Sequence, residues 1–516
     1  MKSDHLSDAI GKVSEDLIAE ADCVRKKKRK PRWIAWVAAA ACVAVAFALA
    51  KPLIRPQEDS EEKPDVPVLQ AKPSEQIDRG DTQEQVSEDL YAGPLCDLDG
   101  TIAYASYPHM EKYPSLEELD YDWDAYGEQL DSYYEAKDVY SQSLEVADRS
   151  FFYNFYKTSA LEFLSQSGNE NLVYSPTNVY MALAMLAEVS DGNSRQQILD
   201  VLGAESIEQL RSEAKYLWGS NYCDDGLLTT VMANSMWLAD NLLYNQETLE
   251  RLAKDYYASS FSGIMGSEEY SAMLRQWLNE QTGDLLTEQT KELSFDTNTV
   301  MALASTVYFK GRWTDCFLER NTRKDTFHAA TGETSVDFMN NSDLGDYYWG
   351  ESYTAIEKEM EGQASMWLIL PDEGKTVDDV LSEGEIFDMT KAGASWGKRK
   401  SVIVNLSMPK FDVMSNIDLN AGLMNLGVTD VFDYTVSDFT PLSDIPNLYV
   451  DEAKHAARVV VDEEGCTAAA YTVFMMDAGA AEIDRDEVNF ILDRPFIFVI
   501  TGCGDQPIFI GVVNQV

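Results

Sequence analysis

The chain has 516 residues, a hydrophobic fraction of 45% and a formal net charge of −47. That length and composition support a sizeable core in one large or two to three smaller domains. The acidity excludes a broad phosphate-binding surface, so nucleic acid is dropped as a partner. Seven scattered cysteines without a C-x-x-C pair read as incidental thiols, neither a disulfide framework nor a zinc site, and four histidines leave few general bases.

Residues 1–32 form a basic segment expected to stay in the cytoplasm. Leu6, Ile10, Val13, Leu17 and Ala21 stand at helical spacing, and "RKKKRKPR" closes the segment at residues 25–32. The 18 uncharged residues "WIAWVAAAACVAVAFALA" follow, from Trp33 to Ala50. With Pro52 to Ile54 they are long enough for a helix across a bilayer, so residues 33–54 are expected to be a transmembrane signal-anchor. The positive-inside rule then puts everything beyond about residue 55 outside the cell. Two rivals are a cleavage site at Ala48-Leu49-Ala50, which would release the chain, and a lipid box at Cys42, which the apolar residues beyond it disfavour.

Residues 55–90 read as an acidic, Pro-rich linker: from Lys51 to Leu90 there are eleven acidic residues, five basic ones and five prolines. Residues 91–143 are an acidic, Tyr-rich extension expected to lie against the domain that follows. Its "DYDWDAYGEQLD", Asp120 to Asp131, imitates a calcium loop but has Ala125 at the glycine position and Asp131 in place of glutamate. No metal site or cofactor is expected.

Residues 144–516 are the globular part. Helix-like stretches come first, such as "VYMALAMLAEV" and "LLYNQETLERLAKDYY"; strand-like runs such as "ASMWLILP" and "SVIVNLSMPKF" follow. That order predicts an α+β fold. "GASWG", Gly393 to Gly397, matches a nucleophile elbow at Ser395, with His328 or His455 as partners, but it runs from helix to strand where the elbow needs strand to helix. The protein is not expected to be an enzyme.

The most unusual stretch runs from Gly465 to Met476. It holds no charge over twelve residues, starts with glycine, and as a strand shows Cys466, Ala468, Ala470 and Thr472 on one face and Thr467, Ala469 and Tyr471 on the other. Polar "DAGAAEIDRDE", Asp477 to Glu487, follows as a loop.

Six separated blocks together resemble the serpins. They are "NLVYSPTNVYMALAMLAE" (Asn171 to Glu188), "STVYFKGRW" (Ser305 to Trp313), "LSMPKFDV" (Leu406 to Val413), "HAARVVVDEEGCTAAAYT" (His455 to Thr472), "LDRPFIFVI" and "PIFIGVVNQV". The resemblance implies three β-sheets, eight or nine helices, an exposed reactive loop and a monomeric domain. It makes Asn171, Pro176 and Trp313 family core residues. It makes Glu463, Glu464 and Gly465 through Thr472 the loop hinge, and Ala478, Gly479, Ala480 and Ala481 the region of the cleaved bond. Ser175, Asn178, Ser305 and His455 become a polar cluster where the central sheet parts. Asn178 and Ser305 exchange the family's usual Ser and Asn, Cys466 stands for a small residue, Thr467 for Glu and Tyr471 for a small residue.

The implied activity is suicide inhibition of an extracellular serine protease: cleavage, acyl-enzyme trapping and loop insertion into the central sheet. The small, uncharged bait suggests an elastase-like or subtilisin-like target, and the membrane is contacted only through the N-terminal helix. The alternative is a non-inhibitory binding protein of the same fold.

Overall fold

The structure, a computed structural model, describes residues 42–52, 90–91, 100–116, 119, 121–144, 150–165, 167–284, 286–466 and 486–516. Two nine-stranded sheets carry most of it. The first contains β1 (Cys42–Pro52), β2 (Thr101–Ala103), β4 (Leu228–Ala239), β5 (Ala258–Gly263), β6 (Met301–Arg312), β12 (Phe411–Asp418) and β13 (Leu448–Val461), in the spatial order β12-β13-β1-β6-β4-β5-β2, with the two-residue strands Cys223–Asp224 beside β4 and Gly465–Cys466 beside β6. The second contains β3 (Leu172–Tyr174), β7 (Arg323–Ala329), β8 (Gly332–Trp349), β9 (Tyr353–Glu359), β10 (Ser365–Pro371), β11 (Arg399–Pro409), β14 (Glu487–Ile491), β15 (Phe496–Thr501) and β16 (Pro507–Val513).

The expected second and third sheets are one continuous ladder here. The 18-residue β8 pairs with β11 from Phe338 to Tyr348 and with β9 through Tyr347–Trp349, which joins them. The helices are α1 (Trp123–Ser143), α2 (Ser150–Leu164), α3 (Pro176–Val189), α4 (Gly192–Leu202), α5 (Ile207–Asn221), α6 (Gln246–Asp255), α7 (Glu268–Gln281), α8 (Thr287–Thr290), α9 (Val377–Glu383), α10 (Glu385–Ala392) and α11 (Asn420–Leu426). Ten of these lie in 144–516, against eight or nine expected. One is the single turn α8, and Gly384, at φ 69°, divides one helical run into α9 and α10.

α3 is the buried helix of the molecule. Ser175 caps it by accepting from the Asn178 amide, and Pro176 opens it, where a missing N–H costs nothing. Thirteen of its fourteen residues are buried, because its largely apolar surface packs against both β6 and β16 while Asn178 and Glu188 find hydrogen-bond partners.

The transmembrane helix expected over residues 33–54 is not found. Residues 42–52 form strand β1, the rest of that range lies outside the described residues, and among the described residues no helix is long and apolar enough to cross a membrane. An uncharged Ala/Val run has no periodicity to distinguish helix from strand, and a seat with an open ladder on each side satisfies its backbone as fully as a helix does. The basic segment 1–32 and nearly all of the linker 55–90 lie outside the described residues. The calcium-like stretch is the start of α1, with Asp122 accepting from the Asp124 and Ala125 amides as an N-cap.

α1 lies against the domain. Tyr133 donates to Asp225 at 2.7 Å, Tyr140 donates to the Gly219 carbonyl at 2.9 Å, and β2 pairs with β5 at the sheet edge.

Candidate functional site at the end of the long strand

β13 runs the length of the central sheet and ends in a tight turn from Asp462 to Gly465. The Asp462 amide donates to the Gly465 carbonyl at 3.2 Å, and the Glu464 amide donates to the Asp462 carboxylate at 2.9 Å. Three donors from the segment after β6 strap the turn down. The Trp313 amide reaches Glu464 O at 3.2 Å, the Trp313 indole reaches Asp462 O at 3.0 Å, and the Phe317 amide reaches Glu463 O at 3.0 Å. The buried Trp313 is therefore the floor on which the hinge rests.

Gly465 is required twice over. Its φ is 133°, and a Cβ there would lie 2.4 Å from Gly311 O and 2.7 Å from Arg312 Cα. Gly465 and Cys466 pair antiparallel with Arg312 and Gly311 of β6. Burial raises the Asp462 carboxyl above its ordinary value. Glu463 is buried too, but the Lys410 ammonium at 2.6 Å and the Thr322 hydroxyl at 2.8 Å outweigh that burial and hold its carboxyl low. Of the residues expected to form the hinge and the cleaved region, Thr467, Ala468, Ala469, Ala470, Tyr471 and Thr472 and Ala478, Gly479, Ala480 and Ala481 lie outside the described residues. The described chain resumes at Asp486, and β14 runs parallel to β11 in the other sheet.

The four residues of the polar cluster do come together. The Ser175 amide donates to His455 Nε2 at 3.0 Å, and Asn178 Nδ2 donates to Ser305 Oγ at 2.9 Å. Ser305 in turn donates to Asn234 Oδ1 at 2.6 Å. Asn234, missed in the sequence, sits in β4 opposite Ser305 and also donates to the Tyr256 carbonyl at 2.7 Å. One amide inside the apolar strand "LTTVMANSMWLA" was the available signal, since a buried amide needs partners. The cluster thus ties the start of α3 to β6, β4 and β13, on both sides of one strand position.

β1 holds that position. It is antiparallel to both walls, with Ala46 opposite Ser305 of β6 and opposite His455 of β13. Its Cys42 stands opposite Phe309, three positions along β6 from the Arg312 that faces Gly465. β1 therefore prolongs in space the ladder that Gly465 and Cys466 begin.

Asn171 clamps the C-terminus. The Asn171 amide group donates to Gln515 O at 2.8 Å, and its carbonyl accepts from the Asn514 amide at 2.7 Å and the Gln515 amide at 3.0 Å. Ser395 lies in a 3-10 turn between α10 and β11, so the elbow geometry is absent. No cluster able to hold a metal occurs among the described residues.

The family model described as serpin (serine protease inhibitor) matches residues 147–516. An uncharacterized serpin-like protein of Thermococcus kodakarensis is 29% identical over 364 residues, covering 69% of this chain and 81% of that protein. The plasma serine protease inhibitor of Mus musculus is 27% identical over 381 residues, covering 72% and 90%. Among solved structures, the native state of the thermophilic serpin tengpin superposes with a TM-score of 0.63 at 28% identity, covering 72% of this chain and 96% of that one.

Proposed function

This chain belongs to the serpin family, and we propose that within it the chain is a suicide inhibitor of extracellular serine proteases. The carrying observation is the hinge: a turn that only glycine can make delivers Gly465 and Cys466 onto β6, with no charge in the ten residues that follow. Continued at the same register, Ala468 would fall opposite Phe309 and Thr472 opposite Ser305. The loop arm then fills the position between β6 and β13, over the polar cluster.

The physics follows from that register. A protease cleaves within Ala478–Ala481 and is held as an acyl-enzyme, and the freed arm adds itself to the sheet before water can release it. About a dozen residues gaining ladder bonds at roughly 0.5–1.5 kcal/mol each, plus apolar burial, give on the order of 10 kcal/mol. Bait made of alanine and glycine suits a shallow specificity pocket, elastase-like or subtilisin-like, and disfavours one that needs a basic side chain.

The arm and β1 claim the same seat, so insertion requires β1 to leave. The basic run 25–32 before the apolar run 33–50 supports export and tethering in a membrane, N-terminus inside. A run lodged in a bilayer leaves the seat empty. One held in the sheet blocks it, which is the observation favouring the second reading, a non-inhibitory binding protein.

Incubation with an elastase tests the two. A covalent complex that survives detergent supports inhibition. Loop cleavage with no complex, from both the full chain and a chain lacking residues 1–55, supports the binding protein.

A further inference from the structure

Two of the thiols that look incidental in the sequence are brought together by the fold. Cys223 begins the short strand after α5, and Cys503 lies in the turn between β15 and β16, 280 positions away. The turn packs directly on the end of α5. Asn221 donates to Gln506 at 2.9 Å, and a Cβ on Gly504 would lie 2.6 Å from Ser220 O. Cys503 Sγ stands 3.5 Å from the carbonyl oxygens of both Ser220 and Asn221, the latter two positions before Cys223. Both line a cleft of about 790 Å³ between α1 and the domain, shared with Tyr133, Lys137, Tyr140 and Asp225.

We propose that Cys223 and Cys503 are a redox-sensitive pair that closes to a disulfide on reaction with a low-molecular-weight disulfide. The neighbouring Cys223 thiol, helped by the nearby Lys137 ammonium, favours the Cys503 thiolate, while Cys223, beside Cys503 and buried, is harder to ionise. Cys503 attacks the external disulfide and displaces one thiol. Cys223 then gives up its proton and attacks the Cys503 sulfur, displacing the second. Two protein thiols are oxidised to one disulfide, and the external disulfide is reduced to two thiols that take up the two protons. The bond would lock α5 and the start of β4 to the β15–β16 hairpin, that is, the central sheet to the second sheet. Lys137, on α1, is the contribution of the Tyr-rich extension to this site.

The test treats the full chain with oxidised glutathione, alkylates the remaining thiols and maps the peptides by mass spectrometry. The expected result is one Cys223–Cys503 linked peptide, reversed by dithiothreitol, with Cys316 alkylated. The oxidised chain should melt roughly 5–10 °C above the reduced one. Cys503→Ser should abolish the link and that rise, and Lys137→Gln should slow closure several-fold. Alkylation of both cysteines, a glutathione adduct left on Cys503 beside a free Cys223, or linkage to any other cysteine would each overturn the pairing. None of these readouts depends on protease inhibition, so the pair and the inhibitor reading stand or fall separately.

Discussion

Glu188 shows how single residues hold the molecule together away from the hinge. It is fully buried at the end of α3, accepting from Arg211 at 2.8 Å through both oxygens, from Arg251 at 2.9 Å and from Tyr256 at 2.9 Å. Burial alone would raise its carboxyl, but the two guanidinium groups win and hold it below its ordinary value of 4.5. A depressed folded pKa contributes stability above about pH 4.5 that is lost as pH falls through the lower folded value. Glu188→Ala should therefore cost about 3–5 kcal/mol at neutral pH in denaturant titrations. Glu188→Gln should flatten the fall in stability below pH 4.5; an unchanged acid limb would place the acid sensitivity elsewhere. At the hinge, Gly465→Ala meets both the φ of 133° and the Gly311 carbonyl, and should cost about 1–3 kcal/mol. Gel analysis with an elastase should show more cleaved chain and less complex for this variant. Ser175, Asn178, Ser305 and His455 were legible only through the resemblance, because nothing in their spacing brings residues 175, 305 and 455 together. Asn234 escaped because its partner, Ser305, is 71 positions away.

Among the elements, periodicity served best where one face alone is buried and worst where none or all are. β12 alternates buried and exposed along its length, whereas α3, buried on every side, was visible as a helix by its length. The apolar run that forms β1 offers no such contrast, so the bilayer was the natural host to infer for it. The length of β8, which fuses two expected sheets, depends on pairing with β11 and could not be read locally. α1 falls in the stretch read as an acidic, Tyr-rich extension, where acidic residues and tyrosines hide its one buried face, at Tyr133. Its attachment is measurable: Tyr133→Phe removes the bond to the buried Asp225 and should cost about 1–3 kcal/mol, read as a lower denaturation midpoint. No change would mean that α1 contributes no stability to the domain.

At the scale of the whole molecule, two segments compete for one strand position. β1 from Cys42 to Ala50 and the proposed reactive-loop arm from Gly465 to Met476 are both uncharged, both begin small, and both would pair with β6 along the same stretch. Removing residues 1–55 should accelerate formation of the protease complex several-fold; an unchanged rate would mean that β1 does not hold the seat against the loop. As an inhibitor the intact chain stops short of its most stable form, and the melting temperature of a chain lacking residues 1–55, cut once within Ala478–Ala481, tests this most directly. Insertion worth on the order of 10 kcal/mol should raise the midpoint by roughly 10–15 °C over the uncut chain. A midpoint that does not move would contradict it, because a severed loop that gains nothing from the sheet has nothing with which to trap a protease.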